Sequence, residues 1–198
     1  MSTPVAQRRD GFISALYALN AGLESSIPKR RAEARQVLAR LRRSLVTARP
    51  EPAAYEVVFR HDPPESEQDA WILVAGLFAL HPKASRRGDR SIGTAMQALQ
   101  EKRGDSATRR FEQLLGRDRA GLPHHLRQIV RLLAAEGIPV NYAALLDDLV
   151  VLMGDKYSEE TAHRIRLRWA RDFHRKRKTT TTDNGEPAPA PTTVENPA

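Results

Sequence analysis

Four arginines, Arg164, Arg168, Arg171 and Arg175, recur at intervals of four, three and four residues. At 100° per residue they fall within an arc of about 60°, so a helix over this segment carries them on one flank. A second group crowds residues 29–49, where eight basic side chains meet a single carboxylate, Glu33. The chemistry these rows offer is electrostatic. Planar guanidinium forks on rigid elements grip the backbone phosphates of a polyanion.

The charge balance points the same way. Residues 1–178 hold 32 basic and 21 acidic side chains, a net of +11, while Thr179–Ala198 holds three acids and no base. The preference for Arg (26, against 6 Lys) is weak by itself, because GC-rich coding sequence also favours arginine. Clustering and net excess carry the inference. They favour an anionic partner, with nucleic acid ahead of a membrane surface.

Residues for bond-making chemistry are scarce. The absence of cysteine removes disulfides, zinc ribbons and thiol nucleophiles. The six histidines (His61, His81, His124, His125, His163, His174) form no chelating pattern. His81 precedes a proline at a helix end, a place suited to capping carbonyls. Asp147–Asp148 and Glu159–Glu160 are adjacent pairs, read as solvated helix positions, the second suited to a helix N-terminus. No glycine-rich phosphate loop or nucleophile elbow occurs. The chain is therefore expected to be no enzyme, with no metal site and no cofactor. Its few aromatics lie mostly on apolar faces. Only Tyr55 and Phe59, in a proline-rich stretch, are candidates for stacking on bases, so contacts should go to phosphates and sugars. No apolar run approaches a membrane span, and residues 1–12 lack a signal-peptide core, which makes cytoplasmic location the expectation.

The elements that must hold these arginines read as helices. Asp10–Ala21 forms the first. A long one starts at Pro28, with Ala34, Val37, Leu38, Leu41 and Leu45 turned inward and its bases outward. Residues 48–65, with four prolines, read as irregular loop. Ser66 and Asp69 suggest a capping box before Ala70–Leu80, a helix apolar on every side and hence central. After a basic loop, Lys83–Arg90, come helices at 91–102, 107–115 and 123–136. One capped by Asn141 and one capped by Ser158, running to about Lys178, complete the set. The fold class is all-α: a bundle of about eight helices in two small lobes, without sheet. The lobes are residues 1–103 and 104–178, and 179–198 is a disordered tail.

Several segments resemble one family when taken in order: VAGLFALHP (74–82), SIGTAM (91–96), RRFEQLLGRDR (109–119), LPHHLRQIVRLL (122–133), IPVNYAALLDDL (138–149) and RLRWARDF (166–173). The chain resembles CasB, the small subunit of the type I-E CRISPR Cascade effector, over about residues 10–175. The resemblance implies a non-catalytic subunit, present with a second copy of itself among other Cascade subunits. Its implied partners are guide RNA and single-stranded or target DNA, and it supports the guide–target hybrid and the displaced strand. It also implies nucleic-acid-binding roles for Arg42, Arg43, Arg109, Arg110, Arg119, Arg127 and Arg131, and for the loop bases Lys83, Arg86 and Arg87. Such a protein needs only a positive surface, since base pairing reads the sequence. The α-helical segments at 141–153 and 158–178 also permit a second reading, a stand-alone helix-turn-helix regulator.

Overall fold

The computed structural model describes residues 4–46, 52–82 and 91–175, and these contain no strand. Nine α-helices follow in order: α1 Pro4–Leu23, α2 Pro28–Ser44, α3 Pro52–Phe59, α4 Gln68–Leu80, α5 Ile92–Arg103, α6 Asp105–Leu115, α7 Leu122–Ala135, α8 Tyr142–Met153 and α9 Glu159–His174. A 3-10 turn, Glu65–Glu67, leads into α4. The expected all-helical class is what the chain adopts.

Helix α4 lies at the centre, packed by α2, α3, α7 and α8. Trp71, Val74, Ala75, Leu77 and Phe78 are wholly buried, as a helix without a polar face requires. Each large side chain so enclosed contributes about 1.5–3 kcal/mol. Around α4, α1 packs on α2 and α8, while α5 packs on α6, α7 and α9. One buried cluster draws residues from all nine helices.

Three expectations about boundaries need correction. Residues 52–59 are helix α3, not loop. Proline costs nothing in a first turn, and Ala54 and Val58, one turn apart, are fully buried. Helix α1 begins six residues before Asp10, held early by Arg8 on Asp62 and Arg9 on Glu67. Ser66 caps nothing: the residue before α4 is Glu67, whose side chain makes no capping bond and turns inward instead.

Other punctuation is as the residues suggest. Ser91, Asn141 and Ser158 each accept from the backbone N–H three residues on. Gly104, at φ +62°, makes the one-residue link between α5 and α6, a conformation that excludes most side chains. Helix α9 ends at His174, and the lysines beyond Arg175, like the tail, lie outside the described residues.

Candidate nucleic-acid interface

Two buried carboxylates set the frame on which the arginines stand. Glu67 receives the indole N–H of Trp71 at 3.1 Å and a two-point grip from Arg9, at 3.0 and 2.7 Å. Arg9 also reaches Asp147 at 2.8 Å and thereby ties α1 to α8. Burial works against the charge on Arg9, but Glu67 and Asp147 outweigh it and raise its pKa. Asp148, on α8, receives the indole N–H of Trp169 at 2.6 Å and a guanidinium N–H of Arg168. The solvated reading of Asp147–Asp148 is therefore wrong for its second member, which is only 4% exposed. Burial raises the Asp148 pKa, and Arg168 and Trp169 oppose the rise.

Further contacts separate arginines engaged by the fold from others that stand exposed. Arg119, in the α6–α7 connection, pairs with Asp155 and lies 3.9 Å from Asp69. Arg127 is half-buried on α7 and donates to the Leu45 carbonyl at 2.6 Å, pinning α7 to the end of α2. Its Nε is buried without a partner. Lys102 and Arg103 close on Glu136, whose pKa falls chiefly through the Arg103 hydrogen bond. By contrast Arg109, Arg110 and Arg131 are exposed and make no ion pair among the described residues. Arg42 is also exposed, its Nε donating to the Leu38 carbonyl at 3.3 Å, and Arg43 beside it is exposed.

The fold brings part of the implied set together. Arg127 reaches the residue two positions past Arg43, so the basic end of α2 meets α7. Between them, Ser44, Leu45, Asp69, Ile72, His124 and Arg127 line a cleft of about 430 Å³. Arg131 follows Arg127 by one turn on the same face of α7. Arg109 sits on α6 opposite buried Ala107, Phe111 and Leu114, while Arg110 flanks that buried face, and both are exposed. Lys83, Arg86 and Arg87 lie outside the described residues. The described residues resume at Ser91, whose hydroxyl donates to Asp172 of α9 at 2.5 Å.

Two further contacts were not foreseen. Arg166 donates to the Arg117 carbonyl at 3.0 Å and so ties α9 to the α6–α7 connection, and the Arg117 charge lies near His125. Burial, with Arg117 and His124 close by, lowers the His125 pKa. Their spacing in sequence held no signal, because 49 residues separate them.

The His81 side chain does bond a carbonyl, though not one of the helix it ends: it reaches into the α7–α8 connection. Its Nε2–H donates to the Ile138 carbonyl at 2.8 Å, in the interior. Among the described residues no group of three or more His, Asp or Glu side chains is placed to hold a metal. No helix among them is long and apolar enough to cross a membrane. Tyr55 and Phe59 are exposed and stack on one another, centroids 5.5 Å apart.

Comparison with known proteins agrees with this architecture. The family model for CRISPR-associated protein Cse2 matches residues 37–174. CasB from Thermobifida fusca has a TM-score of 0.64 at 25% identity, covering 88% of this chain and all (100%) of that one. CasB from M. ruber gives 0.60 at 27%, covering 84% and 91%. CasB from Thermus thermophilus gives 0.57 at 28%, covering 83% and 96%. A chain of a CRISPR RNA-guided surveillance complex shares the fold, with a TM-score of 0.64 at 21% identity over 86% and 92%. No curated protein matches the sequence. With the family model spanning more than half of its length, the chain belongs to the CRISPR-associated Cse2 family.

Proposed function

We propose that the chain is the small subunit of a type I-E RNA-guided surveillance complex and acts there without catalysis. It holds the guide RNA–target DNA hybrid and the displaced strand through their backbones, beside a second copy of itself and other subunits of the complex. The observation that carries this reading is the likeness over most of its length to CasB proteins, joined to exposed Arg42, Arg109, Arg110 and Arg131, which have no carboxylate partner among the described residues. A surface of this kind contacts phosphates and gives affinity without sequence preference.

The test has two parts. Co-expressed with the remaining subunits of such a complex, the chain should co-purify in fixed stoichiometry. Alone, it should bind single-stranded nucleic acid of any sequence, with a log–log salt slope of about −3 to −4 if ~5 phosphates are neutralised. Tight binding to one palindromic duplex would instead favour a stand-alone regulator.

A further inference from the structure

Arg164, Arg168, Arg171 and Arg175 share one flank of α9, and all four are exposed. The flank is held rigidly from behind. Ile165, Trp169 and Phe173 are buried on the adjoining face. The Trp169 carbonyl lies so close to Gly93 that a β-carbon there would come within 2.1 Å of it. Ser91 fixes Asp172, Gln97 donates to the Arg175 carbonyl, and Asp148 receives both Arg168 and Trp169.

The charges on this flank are unequal. Glu160 offsets Arg164, and Asp148 offsets Arg168. Arg171 and Arg175 have no carboxylate partner among the described residues, because the acid between them, Asp172, is turned to Ser91. At 1.5 Å per residue the row runs about 16 Å, long enough for several backbone phosphates.

We infer that this flank of α9 is a second phosphate-binding track, taking the backbone of a single strand, with Arg171 and Arg175 as its principal contacts. The inference rests on the reading of the chain as a nucleic-acid holder but adds a site distinct from the α6 and α7 arginines. Arg166 reaches the α6–α7 connection while Arg168 reaches α8, so the two sides of α9 face different surroundings. A protein partner fits the flank less well. Interfaces between proteins centre on apolar and aromatic side chains. Leu167 is the sole large apolar side chain exposed on α9, and it lies at the edge of the row.

The full-length chain is titrated against a labelled single-stranded oligonucleotide between about 50 and 200 mM salt. R171E/R175E should weaken binding several-fold with an unchanged melting temperature. R171Q/R175Q, which introduces no repulsion, should lower the magnitude of the log–log salt slope by about 1.4, two phosphates at ~0.7 each. R171K/R175K should restore most of the affinity. R109E/R110E/R131E, run in parallel, reports on the first surface. If that variant weakens binding while the α9 variants leave affinity and slope unchanged, the second track is wrong and the functional reading stands. If neither set changes binding, both fail. If the α9 variants bind the oligonucleotide normally but no longer co-purify with the other subunits, the flank is a protein contact and the inference is overturned.

Discussion

Trp169 donates its indole N–H to Asp148 at 2.6 Å, and both side chains are closed off from solvent, at 0% and 4% exposure. Trp71 and Glu67, at the start of α4, form the same relationship at 3.1 Å. In each case an arginine, Arg168 or Arg9, completes the carboxylate's coordination. The protein thus buries two negative charges to orient two tryptophans and two guanidinium groups. Buried acids of this kind are costly unless paired, and here they are paired twice over.

Asp148→Ala should destabilise the fold by about 2–3 kcal/mol, since it strands the Trp169 N–H and the Arg168 head. Asp148→Asn keeps an acceptor for the indole and removes the cost of burying a charge, so it should lose clearly less. Chemical denaturation of the two variants against wild type checks the order. Equal losses would mean that charge, not the hydrogen bond, matters at this position.

Arg127 and Arg110 should separate under the same substitution. Arg127→Ala loses the bond to the Leu45 carbonyl and the packing of its half-buried stem, and should cost about 1–2 kcal/mol. Arg110→Ala should stay within about 0.5 kcal/mol of wild type, as exposed unpaired positions do. Melting temperatures measured before any binding assay would distinguish a residue lost to the fold from one lost to a ligand.

Gly93→Ala should push α5 away from α9. The new β-carbon meets the Trp169 carbonyl at 2.1 Å, and backbone cannot yield as a flexible side chain does. A loss of about 1–3 kcal/mol is expected, read as a lower denaturation midpoint. An unchanged midpoint would show that the α5–α9 contact is looser than the geometry indicates.

Acid should weaken the fold through His125 before the carboxylates matter. Its folded pKa lies below the ordinary value of 6.5, through burial, Arg117 and His124. As pH falls, the unfolded chain takes up this proton first. Stability is therefore full above about 6.5 and declines towards the folded value. His61, lowered by burial and Arg60, adds the same sign. Melting temperature against pH should slope in this window for wild type and slope less for His125→Gln.

Much of the architecture was legible because burial leaves a period in the sequence. The all-apolar stretch at 70–80 announced the central helix, and Ile165, Trp169 and Phe173 announced the inner face of α9. Helix α3 is not legible in this way, because its prolines read as breakers although Pro52 stands in a first turn, where the missing N–H is harmless. Asp148 was also legible in hindsight: it shares the arc of Leu145, Leu149 and Leu152 on α8, a place where a solvated acid does not belong. Its partners were not legible, because Arg168 and Trp169 come 20 and 21 residues later and meet it only through the packing of two helices. The arginines divide for the same reason. Nothing local distinguishes Arg127, spent on Leu45, from Arg131 one turn away.

The position of α4 has a consequence for how the protein is made. Trp71, Val74 and Phe78 leave the ribosome well before α7 and α8, the helices that cover one side of them, have been synthesised. Until α7 and α8 are translated, the nascent chain carries an apolar rod that α1, α2 and α3 shield on part of its surface. Such a half-covered intermediate is prone to self-association. Fast production of the chain should therefore favour insoluble material, and slower synthesis or chaperone supply should raise the soluble yield.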